Sequence, residues 1–180
     1  MSNKLHLGCG NVVKKGWVNV DIVKLPGVDK VVDLDKTPYQ FKNNQFTEVE
    51  AHHTLEHLGN FMGCMEELHR ICRHGAVIRV SVPYFASPAF WRDPTHKRPF
   101  TLETFSYFGN DSYYSKARFR IVKRKLFYFS CRSFMKSRWY SLPIDFIINL
   151  TPTIYERFFV YLLPASELHF EIEVVKKRHP

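Results

Sequence analysis

Cysteine is scarce in this chain: Cys9, Cys64, Cys72 and Cys131 are the four in 180 residues, and no two stand in CxxC spacing. That excludes a dense disulfide scaffold and points to reduced thiols in an intracellular protein. Long hydrophobic runs are also missing. The most apolar stretch, residues 142–164, is broken by Asp145, Pro152, Glu156 and Arg157, so it falls short of the roughly 20 unbroken residues that cross a bilayer, although it suits a peripheral membrane contact. The first residues, MSNKLHLGCG, lack the apolar core of a signal peptide, and a cytoplasmic location is expected. Acidic residues are few: 17 against 26 Lys and Arg leave a net charge of +9. Such a balance favours anionic partners, nucleic acid, membrane or charged sugar, without choosing among them.

What is present describes a folded domain. Hydrophobic residues make up 45% of the chain and charged residues 24%, a globular rather than a disordered composition. With about 150 residues to a typical domain, a single domain over 1–180 is expected, carrying a loop at 83–100 and an aromatic and basic insertion at 130–164. There is no internal repeat and no low-complexity tract.

Short β-rich runs at 4–7, 17–22, 30–34, 47–52 and 76–82 are each bounded by Gly, Pro, Asn or Asp. Between the last two, Phe61, Met65, Leu68, Ile71 and Cys72 recur at helical spacing over about 60–73, with Gly75 as a stop. Residues 101–108 read as a short helix, and 118–129 and 167–176 as late strands. Strands around one strand-helix-strand unit, followed by a late pair, predict an α/β fold: a Rossmann-like, mostly parallel sheet with a terminal antiparallel strand. About ten residues separate the first two strands, near the minimum for a crossover with a helix, so the early crossovers are expected to be trimmed.

The stretch LHLGCGN at 5–11 places two glycines one residue apart at a strand end, where backbone N–H groups can approach a ligand. A simple strand-ending turn would look the same. The next strand ends in Asp21, suitably placed for ribose hydroxyls, and the third ends in Asp33 and Leu34, an acceptor and an apolar wall for a flat base.

Taken in order, LHLGCG, NVDI, VVDLDKTPYQF, HHTLEHL and IRVSVP resemble the motifs of class I S-adenosylmethionine-dependent methyltransferases over about residues 4–83. The chain is most similar to the small type 11 group, in which a late strand like PASELHFEI at 164–172 recurs. The resemblance implies S-adenosylmethionine as cofactor and methyl transfer as activity. It places Gly8 and Gly10 near the methionine moiety with His6 and Cys9 beside them, Asp21 and Ile22 at the ribose, Asp33 and Leu34 around the adenine, and His52 and His53 beside the sulfonium. Three positions depart from the family: His6 stands where an acid is usual, Val12 where a third glycine is frequent, and Thr47 where an aspartate often begins the fourth strand.

His53, Thr54, Leu55, Glu56 and His57 also spell the HxxEH order of inverted zinc peptidases, with Glu103 or Glu156 as a distant third ligand. That reading leaves the glycine, NVDI and VVDL motifs without a purpose. Capping of the turn and local hydrogen bonds are the plainer reading of Glu56 and His57, with Leu55 and Leu58 packing.

The acceptor side falls to 83–100, which mixes four prolines and five aromatic residues with Arg92, Asp93, His96, Lys97 and Arg98. His53 and His96 are the candidate bases, with Asp93 three residues from His96 to orient it. A structural arm with a solvated basic face is the plain alternative. A sulfonium is already activated, so catalysis by positioning, with no metal, is expected on a small-molecule or glycan-type acceptor. The charge of +9 and the basic, aromatic run at 116–140 keep an RNA methyltransferase as an alternative, and His6 and Val12 keep a non-catalytic cofactor-binding module. The oligomeric state has no signal in the sequence.

Overall fold

A computed structural model describes residues 2–109, 112–129 and 142–176. Cys131, Trp139 and the rest of residues 130–141, the later part of the basic and aromatic run, lie outside the described residues. Among the described residues seven strands form one sheet: β1 (Lys4–Leu7), β2 (Val18–Asp21), β3 (Lys30–Val31), β4 (Phe46–His52), β5 (Cys72–Pro83), β6 (Phe119–Phe127) and β7 (Glu167–Val174), ordered β3-β2-β1-β4-β5-β7-β6. Pairs from β3 through β5 are parallel, while β7 runs antiparallel to both β5 and β6.

Among the connections of the parallel strands β1 to β5, only that from β4 to β5 carries an α-helix, α1 (Phe61–Ile71). Asn60 caps it by accepting from the Gly63 N–H at 3.0 Å, and Phe61, Cys64, Met65, Leu68 and Ile71 bury one face. The chain enters β5 at Cys72, four residues earlier than the pattern predicts, because Gly75 at φ +78° is absorbed within the strand instead of ending the helix. The expected helix at 101–108 is a 3₁₀ turn over Thr104–Phe108, and a short helix α2 (Pro88–Arg92) forms in the 83–100 loop behind the Ser87 cap. Thr101 caps no helix; its N–H instead donates to the Thr104 hydroxyl.

Without helices in the early crossovers, the two faces of the sheet differ in character. Leu7, Ala51, Val80 and Phe170 share one row across β1, β4, β5 and β7, and Leu5, Val49, Ile78 and Ile172 share the next; all are buried in a single core. The intervening row, His6, Glu50, Arg79, Glu171 and Lys123, faces the other way. Its charges pair across strands, Lys14 with Glu50 and Arg79 with Glu48 and Glu171. A face with no helix over it meets water, which is why it alternates charge with charge rather than Val with Ile.

After β6 the chain forms α3 (Leu142–Leu150) and α4 (Pro152–Ile154), the latter running into a π-turn over Tyr155–Phe159. The Asn149 side chain bonds both the N–H and the C=O of Leu126, each at 2.8 Å, and Asp145 accepts from the Tyr128 N–H at 2.7 Å. These side chains close the otherwise open edge of the sheet. No described helix is long and apolar enough to cross a membrane.

Candidate functional site

The carboxyl ends of the parallel strands open into one cleft of about 320 Å³. Gly8 follows β1, Asp21 and Ile22 end β2, Asp33 and Leu34 follow β3, and His53 and Thr54 follow β4. This is where an open α/β sheet binds its ligands.

Gly8 is obligatory on two counts. Its φ is +59°, and a Cβ there would stand 2.3 Å from the Thr54 hydroxyl. Gly10, at φ +51°, donates its N–H to Asp21 Oδ2 at 2.8 Å, and Val23 N–H meets Oδ1 at 3.1 Å. Two backbone donors thus fix the Asp21 carboxylate while each oxygen keeps a free lone pair toward the cleft.

His53 is held on both sides. Its Nε2 lies 2.7 Å from Glu167 Oε1 and its Nδ1 3.3 Å from Glu56 Oε1; both carboxylates are buried. Burial alone would lower the pKa of this ring, but the hydrogen bond to Glu167 and the negative charges of Glu167 and Glu56 beside it outweigh that and raise the value to about 9. Near neutral pH His53 is therefore held as an imidazolium, with Nε2 bonded to Glu167 and Nδ1 facing Glu56, an arrangement that does not suit it to remove a proton.

His52 and His6, by contrast, project onto the helix-free face, away from the cleft. His52 bonds Ser81 at 2.7 Å and Glu50 at 2.9 Å, and His6 sits 3.4 Å from Asn19. Burial and then Lys14 lower both pKa values. Strand alternation explains the placement: His6 lies in the row between the core pairs Leu5–Val49 and Leu7–Ala51, and His52 in the row that follows Ala51. Cys9 is buried beneath the glycine turn and does not line the cleft.

The 83–100 loop docks on the turn after β4: the N–H groups of Lys97 and Arg98 donate to the Glu56 carbonyl at 2.8 and 3.3 Å. Docking brings Lys97 into the cleft, where its ammonium lies 3.4 Å from Asp35. His57 lines the cleft as well, which the sequence reading missed in treating it as a cap. His96 does not line it; its ring stacks on Phe90 and stands 4.8 Å, centroid to centroid, from that of His57. Asp93, expected to orient His96, bonds Thr95 at 2.7 Å, and Thr95 bonds His57 at 2.9 Å; its distance to His96 is 3.7 Å. The HxxEH pair does not form a zinc-peptidase site, since the His53 ring turns to Glu167 at a φ of +48° rather than following a helical turn toward His57.

No protein-family model matches the sequence, and no curated protein matches it either. Solved structures do match. A SAM-dependent methyltransferase from Archaeoglobus fulgidus aligns over 96% of this chain and 86% of its own, with a TM-score of 0.63 at 18% identity. This is the S-adenosylmethionine-dependent methyltransferase fold. Phosphoethanolamine N-methyltransferase 2 of Haemonchus contortus, in complex with S-adenosyl-L-methionine, aligns over 98% of this chain and 49% of its own, with a TM-score of 0.55 at 12% identity. The [4+2]-cyclase SpnF aligns over 97% and 75%, with a TM-score of 0.55 at 14% identity. A methyltransferase fold that carries a cyclase shows why the reaction must be argued from the site.

Proposed function

We propose that this chain is an enzyme that moves the methyl group of S-adenosylmethionine to an oxygen or nitrogen of a small-molecule or glycan-type acceptor. One observation carries the reading: Gly8, Asp21 and Asp33, from three different strand ends, line the same cleft. Asp21 accepts the ribose hydroxyls on the lone pairs that Gly10 and Val23 leave free. Ile22 and Leu34 flank the adenine, Asp33 accepts from its amino group, and the methionine arm passes Gly8 and Thr54. His53 with its two carboxylates carries a net charge of −1 when all three are ionised, which suits a sulfonium alongside.

The acceptor approaches from the side of His57 and Lys97. Its lone pair attacks the methyl carbon, the carbon–sulfur bond breaks, and the electron pair returns to sulfur, leaving S-adenosylhomocysteine. The protein supplies contact at about 3 Å and alignment. A proton leaving the acceptor passes to water on the side of His57, because the His53 ring is already protonated.

Two ion pairs of β6 favour a small acceptor over RNA. Arg120 is paired with Glu173 and Arg124 with Glu103, so two of the strand's cations are already matched. Affinity for RNA falling steeply with salt would reverse that preference.

The apolar segment fits a peripheral location at an anionic lipid surface. Leu142, Phe146, Ile147 and Leu150 of α3 are 60–66% exposed, and Phe158 and Tyr161 continue the patch. Both acids of the segment turn inward, Asp145 to the Tyr128 N–H and Glu156 to the Tyr84 hydroxyl and the Leu102 N–H. Arg157 stays exposed over Phe158, and residues 130–141 add Arg132, Lys136 and Arg138 with no acid. An acid-free apolar patch with basic flanks matches anionic headgroups.

Calorimetry with S-adenosylhomocysteine tests the cofactor site. Asp21→Ala removes charge-assisted hydrogen bonds of about 1.5 to 3 kcal/mol, about 10- to 150-fold in affinity. An unchanged affinity would take Asp21 away from the ribose and the reading with it.

A further inference from the structure

The corner beside the cleft has an unusual balance of hydrogen-bonding groups. Glu56 is fully buried, and neither of its carboxylate oxygens receives a hydrogen bond; the His53 ring, 3.3 Å from Oε1, is its nearest described cation. A buried carboxylate left without donors costs several kcal/mol unless a cation lies against it.

Two imidazoles stand beside it, each tied through Nδ1. His96 Nδ1 lies 2.7 Å from the Phe90 carbonyl. A carbonyl only accepts, so Nδ1 bears the hydrogen and Nε2 keeps its lone pair. His57 Nδ1 lies 2.9 Å from the Thr95 hydroxyl, which is 2.7 Å from Asp93 Oδ1. The hydroxyl donates to the carboxylate and accepts from His57, which again leaves Nε2 free. Backbone and carboxylate partners behind the imidazoles are the arrangement that orients histidines toward a metal.

One ligand atom from each of Glu56, His57 and His96 lies within 4.8 Å of the others. Bonds of about 2.0 Å in tetrahedral geometry would bring such atoms to about 3.3 Å, a closing within reach of side-chain rotation. Asp93 Oδ2, 3.7 Å from His96 Nε2, is a further carboxylate at the rim.

We propose that Glu56, His57 and His96 bind one divalent transition-metal ion of the zinc class, two imidazole nitrogens and a carboxylate leaving a position open toward the cleft. This replaces the expectation of a metal-free site. It also differs from the HxxEH reading, since His53 is not a ligand and the third group comes from the 83–100 loop. Resting on the methyltransferase reading, the ion has a role: it holds an acceptor hydroxyl by its oxygen, lowers the pKa of that hydroxyl so that its proton leaves to water, and presents the oxygen to the methyl carbon. The acceptor class is thereby narrowed to compounds with a metal-binding oxygen.

The test uses the full chain, stripped by a chelator, dialysed and titrated with Co²⁺ while its visible d–d absorption is followed. Saturation at one equivalent per chain, displaced by Zn²⁺, is expected. His96→Gln and His57→Gln should each weaken binding tenfold or more, while His74→Gln, a surface change elsewhere, leaves it intact. Because Glu56 is fully buried, Glu56→Gln is read only alongside its melting curve, and the two histidine variants decide. No retained Co²⁺ or Zn²⁺, or binding indifferent to both histidine variants, overturns the site. S-adenosylhomocysteine calorimetry on the stripped protein separates the two ideas. Nucleoside binding without metal binding overturns this proposal alone, whereas metal binding without nucleoside binding keeps the site and removes the methyltransferase.

Discussion

His53 and Glu167, 114 positions apart in the sequence, are joined by a bond of 2.7 Å between Nε2 and Oε1. It ties the turn after β4 to the first residue of β7 and so locks the antiparallel strand pair to the cleft. The glutamate side chain is 2% exposed and the imidazole 19%. Glu167→Ala would leave a buried imidazolium short of a partner, at about 3 to 5 kcal/mol of stability. In urea unfolding, the double variant Glu167→Gln with His53→Gln should recover much of that loss. If Glu167→Ala unfolds at the wild-type denaturant concentration, the pair does not hold the turn.

The two glycines of the first loop respond differently to substitution. Each costs about 1 to 2 kcal/mol as alanine because of its left-handed backbone. Gly10→Ala meets nothing else within 4 Å, while Gly8→Ala also drives a methyl into the Thr54 hydroxyl and methyl groups at 2.3 and 2.6 Å. Gly8→Ala is therefore the more damaging of the two, and Thr54→Ala in the same chain should relieve part of the excess. Thermal unfolding of the two single variants and the double variant checks the order. Equal losses for Gly8→Ala and Gly10→Ala would remove the close approach.

Much of this was legible in the sequence, because strand ends are marked locally. The paired glycines, Asp21 and Asp33 each follow a short β-rich run, and parallel strands put such ends on one side of a sheet. Which way a histidine points was less legible. A one-residue difference in phase separates His52, on the charged face, from His53, in the cleft, and only the positive φ of His53 completes the turn. Partners distant in sequence, such as Glu167 for His53 or Asn149 for the edge of β6, leave no periodic trace. His57 looked like a cap because its meaning comes from the 83–100 loop docking against Glu56.

The helix-free face makes stability depend on acid. The pKa values of His6 and His52 are lowered, mainly by burial and next by Lys14. A depressed folded value means that the unfolded chain takes up protons that the folded chain refuses. The contribution of these rings is complete above the unfolded value of about 6.5 and falls as pH drops below it, by about 1.4 kcal/mol for each unit of depression. His53, held charged up to about pH 9, contributes in the opposite sense and gains as pH falls toward 6.5, so the decline in melting temperature is expected below about pH 6.5, and His6→Gln should shallow it. A slope unchanged in His6→Gln would mean that His6 takes up its proton as readily folded as unfolded.

The apolar patch on α3 predicts a lipid preference that can be read by sedimentation with vesicles. Burying one phenylalanine in the interface contributes about 1.5 to 3 kcal/mol, and each basic flank near an anionic surface about 1 kcal/mol. The protein should therefore pellet with phosphatidylglycerol vesicles more than with phosphatidylcholine vesicles, and added salt should erase the difference between them. Phe146 is 66% exposed and Phe158 69%, so Phe146→Glu and Phe158→Glu change no core packing; each should cut vesicle binding tenfold or more with the melting temperature preserved. Light scattering without lipid addresses the competing occupant. A stable dimer that either substitution dissociates, with no pelleting in the wild type, would assign the patch to a second copy of the chain and end the membrane reading.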